Sequence, residues 1–374
     1  MGRTPWSAAD LVGLSGIVWG CFGSAKSGSR GTRADQGGDQ GGDQRVRPAG
    51  QNKCHWVVNL DAALWGSQSW LQPAFSRLSS LRGPFGFNCQ ANWPRMTIKT
   101  ALLQGVALLE DAAVPVPRLT AEVLLSHALR RERVYLFAHP EQELREVEWL
   151  HYGRYLHERI KGKPTQYVTG RQEFYGREFR VTPDVLIPRP ETEHVVEVAL
   201  AVIRKNSASG ACRLLDAGTG SGALAVTLQL ETGATAFATD ISAAATTVAA
   251  RNAATLGAAV HFTVCDLMQA FADSSFDLIV SNPPYVPLKH REGLQREVRD
   301  WEPHIALFAG ETGYEMYHRI VADAVRVLRP GGWLVMELGF GCADRVAGLL
   351  STWRDSRIEP DLAGIPRVIA ARLA

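Results

Sequence analysis

A chain of 374 residues has room for two or three domains, and 46% hydrophobic with 21% charged residues is the balance of a soluble globular protein rather than a disordered or fibrous one. The net charge of +2 is unevenly spread: residues 1–95 carry ten Lys/Arg against five Asp, and the remainder 30 basic against 33 acidic residues, so the body (−3) offers no bulk basic surface for nucleic acid. No run approaches the roughly 20 apolar residues of a membrane span. Six scattered cysteines without a CxxC pair argue against a disulfide framework or a zinc site, and for the reducing cytoplasm.

Residues 1–95 differ in kind from the rest. The repeat Asp35-Gln-Gly-Gly-Asp39-Gln-Gly-Gly-Asp43 cannot bury a core, and six of the ten tryptophans lie in this segment without periodicity. Leu11 to Trp19 is a short apolar run with only Arg3 before it, a weak basis for a leader peptide. Order begins at Met96, which is expected to be the natural start, with residues 1–95 a disordered or non-native extension. Residues 96–163 then carry helical patterning, with Leu102, Leu103, Val106, Leu108 and Leu109 in the first helix, a second after Pro117 and another over 143–160. Residues 164–190 alternate aromatics and glycines (Tyr167, Gly170, Phe174, Tyr175, Gly176, Phe179), the pattern of a β-hairpin linker.

From residue 191 to 374, strand-like and helical runs alternate. Strands are expected near 212–216, 235–240, 260–265, 276–281, 332–338 and 366–373, with helices over 191–204, 221–231, 243–256 and 314–328. This is a doubly wound α/β domain, which binds ligands at the C-terminal edge of its sheet.

Two motifs fall on that edge. Gly218-Thr219-Gly220-Ser221-Gly222 follows a strand and opens a helix, where glycines admit a ligand to the backbone and free N–H groups point outward. Its GxGxG spacing is not the dinucleotide fingerprint, and Asp216 just before it would repel a phosphate but suit a cationic sulfonium amino acid. That favours S-adenosyl-L-methionine. Asp240 is placed for ribose hydroxyls, or else for a helix start where Ser242 is the better cap. Asp266 could accept from an adenine amino group while Leu267 packs on the ring; a plain turn aspartate is an equal alternative on these residues alone.

Asn282-Pro283-Pro284-Tyr285 follows the run Phe276–Ser281. Two prolines cannot continue a ladder, so an amide side chain, a carbonyl and an aromatic ring are held rigidly where the strand stops. Such a group grips a planar nitrogen by its N–H bonds and stacks on its face, which points to methyl transfer onto an amide or amino nitrogen. In Ile187-Pro188-Arg189-Pro190-Glu191-Thr192-Glu193, a helix start explains the prolines and the glutamates but not Arg189. The histidines lack metal-ligand spacing, and Ser221 and Ser281 lack a triad pattern, so no metal and no nucleophile are expected.

These residues resemble the PrmC/HemK family, the class I S-adenosylmethionine-dependent protein-(glutamine-N5) methyltransferases of peptide-chain release factors. The likeness runs from about Met96 to Ala374 through Pro164-Thr-Gln-Tyr167, Phe174-Tyr-Gly176, Val185 to Glu193, Asp216 to Gly222, Asn282 to Tyr285, Glu302-Pro303, Ala306 to Gly310 and Asp361 to Val368. It departs at Thr120, where an acidic residue is expected, and at Leu267, where some relatives carry an aromatic. The resemblance implies a Rossmann-like, seven-stranded sheet with a small N-terminal helical domain that helps clasp the substrate. It also implies a cytoplasmic monomer, no direct nucleic-acid partner, and as acceptor the glutamine of the Gly-Gly-Gln loop of class 1 release factors. By the same resemblance Asn282 and the Pro283 carbonyl hold the acceptor N–H groups, Tyr285 packs on the amide plane, and Pro284 and Arg189 complete the substrate site. Asn-Pro-Pro-Tyr alone also suits amino-group methylation of DNA or RNA, and a non-catalytic release-factor-binding module is the reading from a different class.

Overall fold

The computed structural model describes residues 96–206 and 212–374. The expectations for residues 1–95 lie outside the described residues. Four helices open the described chain: α1 (Ile98–Asp111), α2 (Pro117–Leu129), α3 (Arg133–Ala138) and α4 (Glu146–Ile160). Thr97 caps α1 by accepting from the Thr100 N–H at 3.2 Å, and Pro117 starts α2 where its missing N–H costs nothing.

The buried stripe of α1 is Ile98, Ala101, Gly105 and Leu109, packed on Leu124, Leu125, Tyr152 and Leu156. Leu103 and Leu108 are exposed. The reason is Gly105, where an added Cβ would lie 1.9 Å from the Tyr152 hydroxyl oxygen. A small residue lets Tyr152 lie flat against the helix, and the small-residue face turns inward in place of the leucines.

The segment after α4 is partly helical. Its first turn is α5 (Thr165–Thr169), ended by Gly170 at φ +74°. Only β1 (Arg171–Phe174) and β2 (Arg177–Arg180) form the hairpin, through a Tyr175-Gly176 turn with both residues at positive φ. The chain then passes a 3-10 turn at Pro190–Thr192 into α6 (Glu193–Asn206).

The remaining elements build the sheet: β3 (Arg213–Ala217), α7 (Ala223–Thr232), β4 (Thr235–Asp240), α8 (Ala243–Leu256), β5 (Val260–Val264) and β6 (Phe276–Ser281). Next come α9 (Arg296–Trp301), α10 (His304–Leu307), α11 (Glu315–Val327), β7 (Leu328–Glu337), α12 (Ala343–Leu349), β8 (Arg354–Pro360) and β9 (Pro366–Arg372). The seven strands run in the order β5-β4-β3-β6-β7-β9-β8, parallel from β5 through β7, with β9 antiparallel to both of its neighbours.

Side chains alternate across this sheet. Leu214, Leu278, Val335 and Ala370 pack with α6 and α7 on one face; Leu215, Ile279, Met336 and Ile369 pack with α11 and α12 on the other. Each of the Leu, Ile, Val and Met side chains contributes about 1.5–3 kcal/mol by leaving water. The strand order reverses between β3 and β6, so a crevice opens at their C-terminal ends. Both sequence motifs follow those two strands. Among the described residues, no helix is long and apolar enough to cross a membrane.

Candidate active site

The glycine loop is set by backbone geometry. Gly218, Gly220 and Gly222 have φ of +79°, +55° and +85°, a region that L side chains avoid. The Gly218 and Thr219 N–H groups both donate to the Thr239 carbonyl, at 2.9 and 2.8 Å, which folds the loop over the end of β4. An added Cβ at Gly218 or Gly220 would meet open space, so these two glycines border a cleft. Gly222 does not line that cleft. Its Cβ would come within 3.1 Å of the Ala249 Cβ, so its smallness serves the packing of α7 on α8.

Asp216 lies under the loop, 1% exposed. Its Oδ2 accepts from the Thr219 hydroxyl at 2.7 Å and from the Ala225 N–H at 3.2 Å. Its Oδ1 is buried without a partner among the described residues, and Asp216 is one of the residues that line the cleft. Burial pushes this carboxyl up to about 7, against the pull of its two donors.

Asp240 also borders the cleft, but its oxygens already accept from the Gly220 N–H and the Ser242 N–H, both at 2.9 Å. It thereby ties the glycine loop to the start of α8, where Ser242 is the cap, accepting from the Ala245 N–H at 3.2 Å. Asp266 lies two residues beyond β5 and pairs with Arg319 at 2.6 Å. Leu267 is buried at φ +47° and forms part of the cleft wall with Met316 and Phe308. The cleft holds about 250 Å³, and Thr192, Thr219, Ser221, Asn282 and Pro284 are among the other residues that line it.

A second, smaller cavity of about 40 Å³ opens on the other side of the Asn-Pro-Pro-Tyr turn. Pro283, Tyr285, Arg189 and Glu337 line it, and Asn282 and Pro284, with Leu186 and Ala306, line both cavities. The turn is anchored at each end. The Ser281 hydroxyl donates to the Ala217 carbonyl at 2.7 Å, fastening β6 to β3. Val286 exchanges backbone bonds with Leu307 and Ala309, which fastens the turn to the 302–310 segment. Gly313 approaches the Tyr285 carbonyl so closely that a Cβ there would lie 2.7 Å from it.

A buried hydrogen-bond chain runs behind the turn. Asn282 Nδ2 donates to Thr192 Oγ1 at 2.9 Å, and Thr192 donates to Glu337 Oε2 at 2.6 Å. The Tyr285 hydroxyl donates to Glu337 Oε1 at 3.3 Å. Burial raises both the Tyr285 phenol and the Glu337 carboxyl, the latter to about 7. Sequence reasoning missed Thr192 and Glu337. A threonine in a helix-start motif and a glutamate ending an apolar strand carry no chemical signature until the fold joins them across 145 residues.

Arg189 is paired with Glu302, which is 3% exposed and also accepts from the Ile187 N–H at 3.4 Å. Burial alone would lower the guanidinium, but the Glu302 carboxylate holds it above its ordinary value. The helix start leaves Arg189 unexplained; this pair explains it, joining the linker to the residues between α9 and α10. Its remaining exposed surface faces the smaller cavity.

A parallel sheet closed by one reversed strand, with a glycine loop after its first strand, defines a class I methyltransferase. Such enzymes use S-adenosyl-L-methionine, and the cleft fits that molecule. Asp216 Oδ1 is a buried acceptor suited to a cation, Gly218 and Gly220 leave room for close approach, and Leu267, Met316 and Phe308 give an apolar wall for a ring.

Residues 100–170 match the PrmC N-terminal domain family, and residues 197–297 match the methyltransferase small domain family. The chain is 45% identical over 279 residues to the release factor glutamine methyltransferase of Koribacter versatilis, covering 74% of this chain and 99% of that one. It is 41% identical over 290 residues to that of Nitratidesulfovibrio vulgaris, covering 75% and 97%. With Geobacter sulfurreducens the figures are 41% over 280 residues, 74% and 97%. The chain belongs to the release factor glutamine methyltransferase family.

Proposed function

We propose that this chain transfers a methyl group from S-adenosyl-L-methionine to the side-chain amide nitrogen of the Gly-Gly-Gln glutamine in class 1 release factors. It would do so as a monomer in the cytoplasm, without direct nucleic-acid contact. The single observation that carries the reading is the Asn282–Tyr285 turn standing as the wall between two cavities, one fitted to the cofactor and one opening beside Tyr285.

An amide nitrogen is a poor nucleophile because its lone pair is delocalised into the carbonyl. When bound, S-adenosyl-L-methionine supplies an electrophilic methyl group on a positively charged sulfur. The contribution of the chain is to place the nitrogen in line with that methyl. Asn282 Oδ1 and the Pro283 carbonyl accept the two N–H bonds, and the Tyr285 ring packs on the amide plane. No hydrogen bond among the described residues uses the Pro283 carbonyl, which leaves it available for this purpose. Catalysis is then mostly orientation and fixed dipoles, and the nitrogen sheds one proton to water as the new N–C bond forms. Asp216 holds the cationic amino-acid portion, Asp240 and Asp266 face the nucleoside, and the backbone of residues 218–221 lies against it. The helices α1–α4 make a second surface for the protein substrate. Arg159 at the end of α4 joins them to the sheet domain through Glu297, at 2.6 Å.

The test is mass spectrometry of class 1 release factors after incubation with the enzyme and isotope-labelled cofactor. The expected result is one labelled methyl confined to the Gly-Gly-Gln peptide. Label in nucleic acid, or elsewhere in the factor, overturns the reading.

A further inference from the structure

Asn282 carries a pseudo-symmetric group, because a carboxamide can present either its oxygen or its nitrogen to a ligand. An acceptor amide that offers two N–H bonds needs the oxygen. Something must therefore decide which way the Asn282 side chain faces, and the buried chain behind it does so by hydrogen-bond polarity.

Glu337 is 3% exposed, and when ionised it accepts hydrogen bonds and donates none. Both of its oxygens are occupied, one by the Tyr285 hydroxyl at 3.3 Å and the other by the Thr192 hydroxyl at 2.6 Å. Thr192 is 4% exposed, and its single proton is committed to Glu337. Its oxygen then has only lone pairs to offer Asn282, 2.9 Å away, so the Asn282 amide must turn its NH2 towards Thr192. The Asn282 oxygen is left for the substrate side. A flipped Asn282 would set oxygen against the Thr192 lone pairs, and N–H against the N–H of an acceptor amide.

We propose that Thr192 and Glu337 are positioning residues that lock the Asn282 side chain with its oxygen towards the acceptor nitrogen. This rests on the reading of Asn282 as the residue that grips the acceptor amide. Neither residue touches the reacting atoms in this scheme; both act through Asn282. The charge state of Glu337 is part of the device. A protonated Glu337 could donate to Thr192, which would release the Thr192 proton to Asn282 and permit the flip. The groups that act on Glu337 are the Thr192 and Tyr285 hydroxyls, the Glu191 carboxylate, which opposes ionisation, and the Arg367 guanidinium, which favours it.

The experiment uses the full chain with a release-factor substrate and saturating cofactor, measuring kcat and KM across pH together with cofactor affinity and melting temperature. Thr192→Val removes the hydroxyl at nearly constant shape. It should lower kcat about 100-fold, the size expected when a reacting group is misplaced, with cofactor affinity unchanged. Thr192→Ser restores the hydroxyl and should restore most of kcat. Wild-type kcat should fall as pH drops through the Glu337 range near 7, and Glu337→Gln should lower kcat and flatten that limb. Wild-type-like kcat in Thr192→Val overturns the proposal, and so does an equal loss in Thr192→Ser, which would make the effect one of packing. Should both Thr192 variants melt, Glu337→Gln decides the matter: an unchanged kcat and an unchanged acid limb overturn it. A wild-type enzyme that never methylates the Gly-Gly-Gln glutamine defeats the underlying reading instead, a result visible before any variant is compared.

Discussion

Asp216 and Glu337 stand near the C-terminal ends of β3 and β7, both buried and both raised to about 7 by burial. Their surroundings differ in one respect. Glu337 has a hydroxyl on each oxygen, whereas Asp216 has two donors on Oδ2 and none on Oδ1. A buried carboxylate that the protein satisfies completely already does its work, which here is to orient a neighbour. One left half-satisfied waits for a partner from outside, and a cation is the partner that best relieves it. On the proposed function, the two sides of the crevice have separable tasks, cofactor capture on the β3–β4 side and acceptor placement on the β6–β7 side.

That separation predicts variants that damage one side and spare the other. The largest effect belongs to Asn282→Ala. Removing a preorganised polar group from the reacting centre costs about 10²–10³ in kcat, and cofactor affinity by calorimetry should stay near wild type. A variant that loses cofactor binding along with turnover would merge the two sides into one site. Gly220→Val is the converse. Its φ of +55° is strained for a β-branched residue, and its Cβ would enter the cleft. Cofactor affinity should fall by about two orders of magnitude, given a strain cost of ~1–3 kcal/mol plus lost contact, in protein whose circular dichroism is unchanged. Unaltered affinity would reduce the loop to a turn.

Much of this arrangement was legible in the chain because its signals are local. Glycine spacing, paired prolines and an acidic residue before a loop mark backbone geometry within a few residues. The alternating apolar runs gave six of the seven strands. The seventh, β8, has mostly polar residues (Arg354, Asp355, Ser356, Arg357), as suits an edge strand, and so has no apolar alternation to find. Helical spacing alone does not mark the inward face of α1, because Gly105 is a core position only by virtue of Tyr152, a residue of α4. The Thr192–Glu337 chain was invisible for the same reason, since its members meet only once β7 lies beside β6. Arg189 was singled out for a substrate role, and the fold supplies it with a partner in Glu302, 113 residues away.

Proton linkage sharpens the contrast next, with an effect of about tenfold per pH unit. The Asp216 carboxyl moves from an ordinary 3.8 up to about 7 in the folded chain. The native state therefore holds this proton more tightly than the unfolded one. Its contribution to stability is fully present below 3.8 and is lost as pH rises through about 7. A bound cation favours the ionised form. Cofactor affinity should then tighten about tenfold per unit as pH rises towards 7 and level off above it. Calorimetry in buffers of different ionisation heat should show proton release on binding, and Asp216→Asn should abolish both the slope and the release. Because the Glu337 limb appears in kcat at saturating cofactor, the two titrations are read from different quantities.

The smallest effect tests whether Asp266 serves the cleft or only its neighbour. Asp266 and Arg319 both border the cofactor cleft and pair at 2.6 Å, with side chains 33% and 46% exposed. Water screens such a pair, so breaking it costs at most about 1 kcal/mol of stability. If Asp266 accepts from the nucleoside, Asp266→Ala forfeits a hydrogen bond and should weaken cofactor binding by up to about tenfold. Arg319→Ala leaves that acceptor in place and frees the oxygen now held by the guanidinium, so affinity should hold or rise slightly. Parallel calorimetry and melting of the two variants separate the cases. Equal small losses of stability with unchanged affinity would make Asp266 a surface ion-pair partner, and the nucleoside end of the cleft would then be held by Asp240 and the apolar wall at Leu267.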